Sequence, residues 1–128
     1  MIIVEIPGRP PTPNETNRRV AQARWRERRE WRATAHEFAN EARLRWERRT
    51  GQKWETLPKA AILVRFMLPD GRRRDLDNLI ASVKPLLDGI VDAGIIADDS
   101  TSCILTFSTW TELRPKEPGT IFEIGAPL

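Results

Sequence analysis

Hydrophobic and polar positions change period several times along the chain, and each change marks an element. Ile2 to Ile6 predicts a short strand. Four prolines then fall in the seven residues Pro7 to Pro13, which forbids helix and favours an extended, polyproline-like loop ending at Asn14. A long helix is expected to start near Thr16 or Asn17, either of which can cap it. Trp31, Ala35, Phe38, Ala42 and Trp46 recur every three or four residues and make one apolar stripe. Thr50-Gly51 ends that helix, with Arg48 and Arg49 at its negative end.

Ala60 to Leu68 alternates Ile62, Val64 and Phe66 with Leu63, Arg65 and Met67, the pattern of a strand with one apolar face. Pro69-Asp70-Gly71 is a turn signal. A second helix is expected to run to about Ala93, with Leu79, Val83, Leu86, Leu87 and Ile90 facing inward and Gly94 ending it. Pro85 predicts either a kink or a helix that restarts with the proline in its first turn. Ser102 to Trp110 predicts a strand with Cys103, Leu105 and Phe107 on one face. A polar loop over Glu112 to Gly119 and a last strand over Thr120 to Ile124 complete the chain. This order predicts an α+β fold, a small mixed sheet covered by helices, as a single domain over residues 1–128.

Composition narrows the function. No apolar run approaches the roughly 20 residues of a membrane span. The short N-terminal apolar segment contains Glu5 and lacks a basic start, so it is not read as a signal peptide, and a cytoplasmic location is expected. Cys103 is the single cysteine, which excludes an internal disulfide and a thiolate zinc site. The net charge is only +3, but eleven arginines face six glutamates between Glu15 and Thr50. Such a helix suits a polyanionic partner; it also suits a solvated face laced with ion pairs.

The chemistry concentrates in Arg72-Arg73-Arg74-Asp75-Leu76-Asp77-Asn78. In an extended segment Asp75 and Asp77 would point the same way, and two neighbouring carboxylates repel unless a cation sits with them. Magnesium fits, because it takes hard oxygen ligands, commonly one or two carboxylates plus water and phosphate oxygens. Asp98-Asp99 offers two more carboxylates, which a strand-helix-strand path can bring to the same end of a sheet. The plainer reading is that Asp77 or Asn78 caps the second helix and Asp98-Asp99 forms a turn. Capping leaves the other carboxylates, and the three arginines beside them, unexplained. The arginines suit a phosphate backbone.

Arg-Arg-Arg-Asp-Leu-Asp-Asn-Leu over 72–79, the apolar helix after it, and Ala93-Gly94-Ile95-Ile96-Ala97-Asp98-Asp99 resemble the RusA family of Holliday-junction resolvases. Ile6-Pro7-Gly8-Arg9-Pro10-Pro11-Thr12-Pro13-Asn14 resembles that family's proline-rich opening. The resemblance implies a homodimeric, magnesium-dependent endonuclease that nicks two opposing strands of a four-way DNA junction, in recombination and repair. It assigns Asp75, Asp77 and Asp99 as essential aspartates and metal ligands; Asp98, next to Asp99, would assist as a ligand through water. Arg74 and Lys84 become catalytic cations, and Asn78 orients a ligand carboxylate or caps the helix. Arg72, Arg73, Arg74 and Asn78 become DNA contacts. One departure concerns Lys84: the family's spacing from the asparagine is about one helical turn shorter than the five residues between Asn78 and Lys84. Three extra residues turn a helix by about 300° and lengthen it by about 4.5 Å.

Two other functions compete. One is a DNA-binding module without nuclease activity that uses the arginine-rich helix; the carboxylates argue against it, since they repel DNA. The other is a branch or flap nuclease of different specificity. His36, the single histidine, reads as a surface helix residue. Trp25 and Trp54 lie off the clearest stripe and suit packing under loops or stacking on bases. Asp70 reads as a turn residue and Asp88 as a helix-surface residue.

Overall fold

The computed structural model describes residues 1–12 and 21–128. The expected helix start at Thr16 or Asn17, and the Pro13-Asn14 end of the proline-rich loop, lie outside the described residues. The elements are β1 (Ile2–Pro7), α1 (Ala21–Thr50), β2 (Ala60–Leu68), α2 (Leu76–Ser82), α3 (Lys84–Asp92), β3 (Ile104–Leu113) and β4 (Gly119–Gly125). The fold is α+β, as the pattern predicts.

The four strands form one mixed sheet in the order β1-β4-β2-β3. β4 pairs antiparallel with both β1 and β2, and β3 pairs parallel with β2. Alternation decides which side chains are buried. Ile2, Val4 and Ile6 of β1, Ile62, Val64 and Phe66 of β2, and Phe122 and Ile124 of β4 face inward. They join Ala35, Ala39 and Ala42 of α1 and Leu86, Leu87 and Ile90 of α3 in one core cluster. Each large side chain so removed from water contributes about 1.5–3 kcal/mol before the entropy of ordering it. The predicted α1 stripe holds, with Trp31, Phe38 and Trp46 packed at its margins and Ala39 added to its centre.

β3 is an edge strand, and there the structure departs from the sequence expectation. Leu105 is not on a buried face with Cys103 and Phe107; it is 53% exposed. A register shift lies between Ala60 and Ala61, whose partners are Ile104 and Thr106, so Leu105 is the extra residue of a bulge and drops out of the alternation. Phe107 pairs with buried Ile62. Cys103 is buried ahead of the strand.

The second predicted helix is two helices. α2 stops at Ser82, Val83 takes φ −87° and ψ −2°, and α3 begins at Lys84 with Pro85 in its first turn. A proline there has no hydrogen bond to lose, whereas inside a continuous helix its ring would clash with the preceding turn. Gly94 follows α3 with φ +75°, a left-handed conformation that glycine adopts freely.

The topology also sets the route between the two acidic segments. β2 and β3 run parallel, so Asp75 and Asp77 follow the C-terminal end of β2, while Asp98 and Asp99 precede the N-terminal end of β3. At that second end Leu57 bridges Ile96, and the Lys59 ammonium donates to the Ser102 carbonyl at 2.5 Å. α2 has seven residues, roughly 10 Å of helix at about 1.5 Å each, and Lys84 directly after it reaches Asp99, so one short helix joins the two acidic segments. α2 and the start of α3 lead back between them. No helix among the described residues is long and apolar enough to cross a membrane.

Candidate metal and nucleic-acid site

Asp70 organises the arginine loop. Its carboxylate accepts from the Arg72 backbone N–H at 3.0 Å and from the Arg74 guanidinium at 2.9 Å. Those two donors, in that order, hold the carboxyl below its usual range. Arg74 also donates to the carbonyls of Asp70 and Arg72, each at 3.1 Å. Its side chain is only 15% exposed. In this state Arg74 is a staple of the loop. Arg72 and Arg73 point outward, with side chains 84% and 95% exposed.

Asp75 is the N-cap residue of α2, with φ −78° and ψ 133°, yet its carboxylate makes no capping bond. Neither Asp77 nor Asn78 caps the helix; Asp77 sits in the first turn, and Asn78 follows it, half-buried. Only Asp75 is extended, so the expected i, i+2 arrangement is replaced by one extended and one helical residue. Both carboxylates are exposed. Among the described residues, the Arg73 guanidinium stands 3.7 Å from Asp75. Acidic groups at a helix N-terminus are favoured by the helix dipole, which offsets part of their mutual repulsion.

The break at Val83 places Lys84 at the start of α3. Its ammonium donates to Asp88 at 2.9 Å, one turn along, and to Asp99 across the turn before β3. The bond to Asp99, then that to Asp88, pushes the ammonium pKa above its ordinary value. Asp98, exposed beside it, is held below the usual carboxylate range first by the Ser100 hydroxyl and then by the Asp99 backbone N–H. The predicted site residues therefore fall into two groups. Arg72 to Asn78 lie at one end of α2, and Lys84, Asp98 and Asp99 lie at the other. Among the described residues, no three His, Cys, Asp or Glu side chains form a group that could hold a metal ion.

The donors fit magnesium in kind. Two exposed carboxylates with room for water and a phosphate oxygen meet its usual needs, and a third carboxylate is not required. Two residues gain roles that their sequence reading missed. Asp70 and Asp88 orient Arg74 and Lys84, and the i, i+4 spacing of each pair was the available signal.

Other candidates settle as packing or surface. Trp54 meets Trp46 edge-on at 5.0 Å, and its indole N–H donates to the Ile95 carbonyl at 3.1 Å. His36 is half-buried beside Asn40, 3.1 Å from its side-chain amide. Trp25 stays 68% exposed with the Arg29 guanidinium 5.6 Å from its ring centroid. No family model matches the chain, and no curated protein matches it significantly.

Proposed function

We propose that the chain is a magnesium-dependent, structure-selective DNA endonuclease that resolves four-way junctions by paired nicks, acting as a homodimer in recombination and repair. One observation carries the reading furthest. Asp75 occupies the N-cap position of α2 without using its carboxylate as a cap, and it shares an exposed helix start with Asp77 and the outward-facing Arg72 and Arg73. A helix cap alone needs neither the second carboxylate nor the arginines. A DNA surface alone gains nothing from carboxylates in the path of phosphates.

Asp75 and Asp77 are the proposed primary ligands, and Asp99 with Asp98 the proposed remainder of the set. A bound ion would polarise a scissile phosphate oxygen and stabilise the charge that develops on it. Arg72 and Arg73 would hold the strand through its phosphates. Asn78 would orient a carboxylate. Arg74 would fix the loop that presents the arginines, and Lys84 would exchange Asp99 for a phosphate oxygen as the strand enters.

A second reading is a DNA-binding module without cleavage. It is favoured by the Lys84 ammonium, which already neutralises Asp99, and by exposed Trp25 and its arginine neighbours on α1. The deciding experiment incubates the protein with a synthetic four-way junction, with and without magnesium, beside Asp77→Asn. Symmetric magnesium-dependent nicks that vanish in the variant support the resolvase. Tight binding without cleavage under any divalent ion supports the module. Equal cutting of linear duplex keeps the nuclease and removes the junction specificity.

A further inference from the structure

A cleft of about 190 Å³ opens beside Lys84, between the proline-rich loop, the first described turns of α1, and the junction of α2 with α3. Its walls are of two kinds. Pro10, Pro11 and Trp31 supply flat apolar surface, and Arg24, Arg28 and Lys84 supply positive charge. Among the described residues that line it, three cations accompany one carboxylate, Glu27. Arg24 and Arg28 are exposed and one helical turn apart, so both reach the same mouth. The buried Ser82 hydroxyl is already committed to the Leu79 carbonyl at 2.6 Å, so the floor presents no free hydroxyl from that residue.

The loop holds its position through Gly8. It takes φ +97°, and a Cβ there would stand 3.0 Å from Cη2 of Trp31. The tryptophan therefore closes against the loop backbone, and Pro10 is buried behind it. Stacking surfaces set beside cations are the chemistry that binds single nucleotides of an unpaired strand without reading their sequence. At about 190 Å³ the cleft is smaller than the ~300–1,000 Å³ typical of sites for larger organic ligands.

We propose that this cleft takes one unpaired nucleotide of the bound DNA strand, with its base against Pro11 and Trp31 and its phosphate between Arg24 and Arg28. The proposal rests on the nuclease reading for its substrate. Lys84 lines the cleft and bonds Asp99, so it links the nucleotide to the acidic turn. An enzyme acting at a branch point meets unpaired or readily unstacked nucleotides, for which extrusion costs least.

The test follows the Trp31 indole N–H and the Ala81 amide by nitrogen-proton correlation spectra of the full chain. The probes are thymidine monophosphate and inorganic phosphate, both without metal. Thymidine monophosphate should shift both signals. Ala81→Phe, which fills the cleft from an exposed lining position, should abolish the shift of the Trp31 indole signal. The Arg24→Ala, Arg28→Ala double variant should weaken the nucleotide at least fivefold while keeping the wild-type spectrum elsewhere. Absence of shifts with the nucleotide overturns the proposal, and so do equal shifts with inorganic phosphate. The two readings fail separately. Junction cleavage that is insensitive to Asp77→Asn sinks the metal reading while the nucleotide shifts still support the cleft. Asp77-dependent cleavage that is unchanged by Ala81→Phe, with no nucleotide shifts, sinks the cleft alone.

Discussion

Lys84 donates a hydrogen bond to Asp99 across fifteen positions of sequence and so ties the start of α3 to the turn before β3. The contact lies at the surface, with Lys84 58% and Asp99 21% exposed, where an ion pair is worth at most about 1 kcal/mol. Lys84→Ala should therefore lower stability by no more than about 1 kcal/mol in urea titration. If Lys84 meets a phosphate during cleavage, the same variant should cut junctions about 100-fold more slowly, the scale for losing one charge-stabilising donor. Slow cleavage in a stable protein assigns Lys84 to the reaction. Unchanged cleavage leaves it a structural clasp.

The unused cap of α2 makes a second prediction. Removing an N-cap side chain normally costs about 1 kcal/mol. The Asp75 carboxylate makes no cap bond, so Asp75→Ala should cost clearly less. Asp77→Asn loses only its favourable place near the helix dipole, about 0.3–1 kcal/mol. Both variants should nevertheless lose the magnesium-induced rise in melting temperature that the wild type is expected to show. A full rise in both would remove Asp75 and Asp77 from the ligand set. A cap-sized loss in Asp75→Ala would show that its side chain caps α2 in solution.

The fold was legible where one face of an element is buried. Ile62, Val64 and Phe66 could take only the strand phase they adopt, and the α1 stripe could face only inward. Pro85 announced the break between α2 and α3 because its ring cannot follow a helical turn at that point. Leu105 was misplaced because a bulge is set by pairing with β2, which local alternation does not report. The site was legible as residue types and not as an assembly. Asp75 and Asp99 carry the same chemistry in sequence, but the helix break at Val83 and the bond from Lys84 to Asp99, a long-range contact, set them at opposite ends of α2. The roles of Asp70 and Asp88 are the reverse case. Their i, i+4 partners were visible in sequence, and only the geometry gave those partners weight.

Asp92 gives a pH prediction. The Arg32 guanidinium grips it with two bonds, at 2.6 and 2.8 Å, joining α1 to the end of α3. The hydrogen bond to Arg32 is the main reason the Asp92 carboxyl lies below its ordinary range. A depressed folded-state pKa contributes stability that is fully present above the unfolded value, near 3.9, and is lost as pH falls through the folded value. Arg32 is half exposed, so the contribution is about 1 kcal/mol after screening. Asp92→Asn should be the less stable protein at pH 6, and its urea midpoint should converge on the wild type's as pH drops below about 4. A gap that persists unchanged at pH 3 would mean that the carboxylate charge is not what Arg32 recognises.

Gly89 tests the packing on which the site rests. It lies in α3 where that helix crosses α1, and a Cβ there would stand 2.4 Å from the Arg32 carbonyl oxygen and 2.7 Å from the His36 backbone nitrogen. Both are backbone atoms of α1, so neither can swing aside, and the helices must separate. Gly89→Ala should cost about 1–3 kcal/mol, the range for forced overpacking, although alanine is otherwise the better helix former. Gly71→Ala is the matched control, because no atom of the described residues beyond its chain neighbours stands within 4 Å of its added Cβ. It should change the urea midpoint by no more than about 0.5 kcal/mol. Moving α3 off α1 also moves Lys84 and Pro85, so Gly89→Ala should weaken nucleotide binding in the adjacent cleft even where the protein remains folded. A stable Gly89→Ala with unaltered binding would show that α3 and α1 lie further apart in solution than the 2.4 Å approach requires.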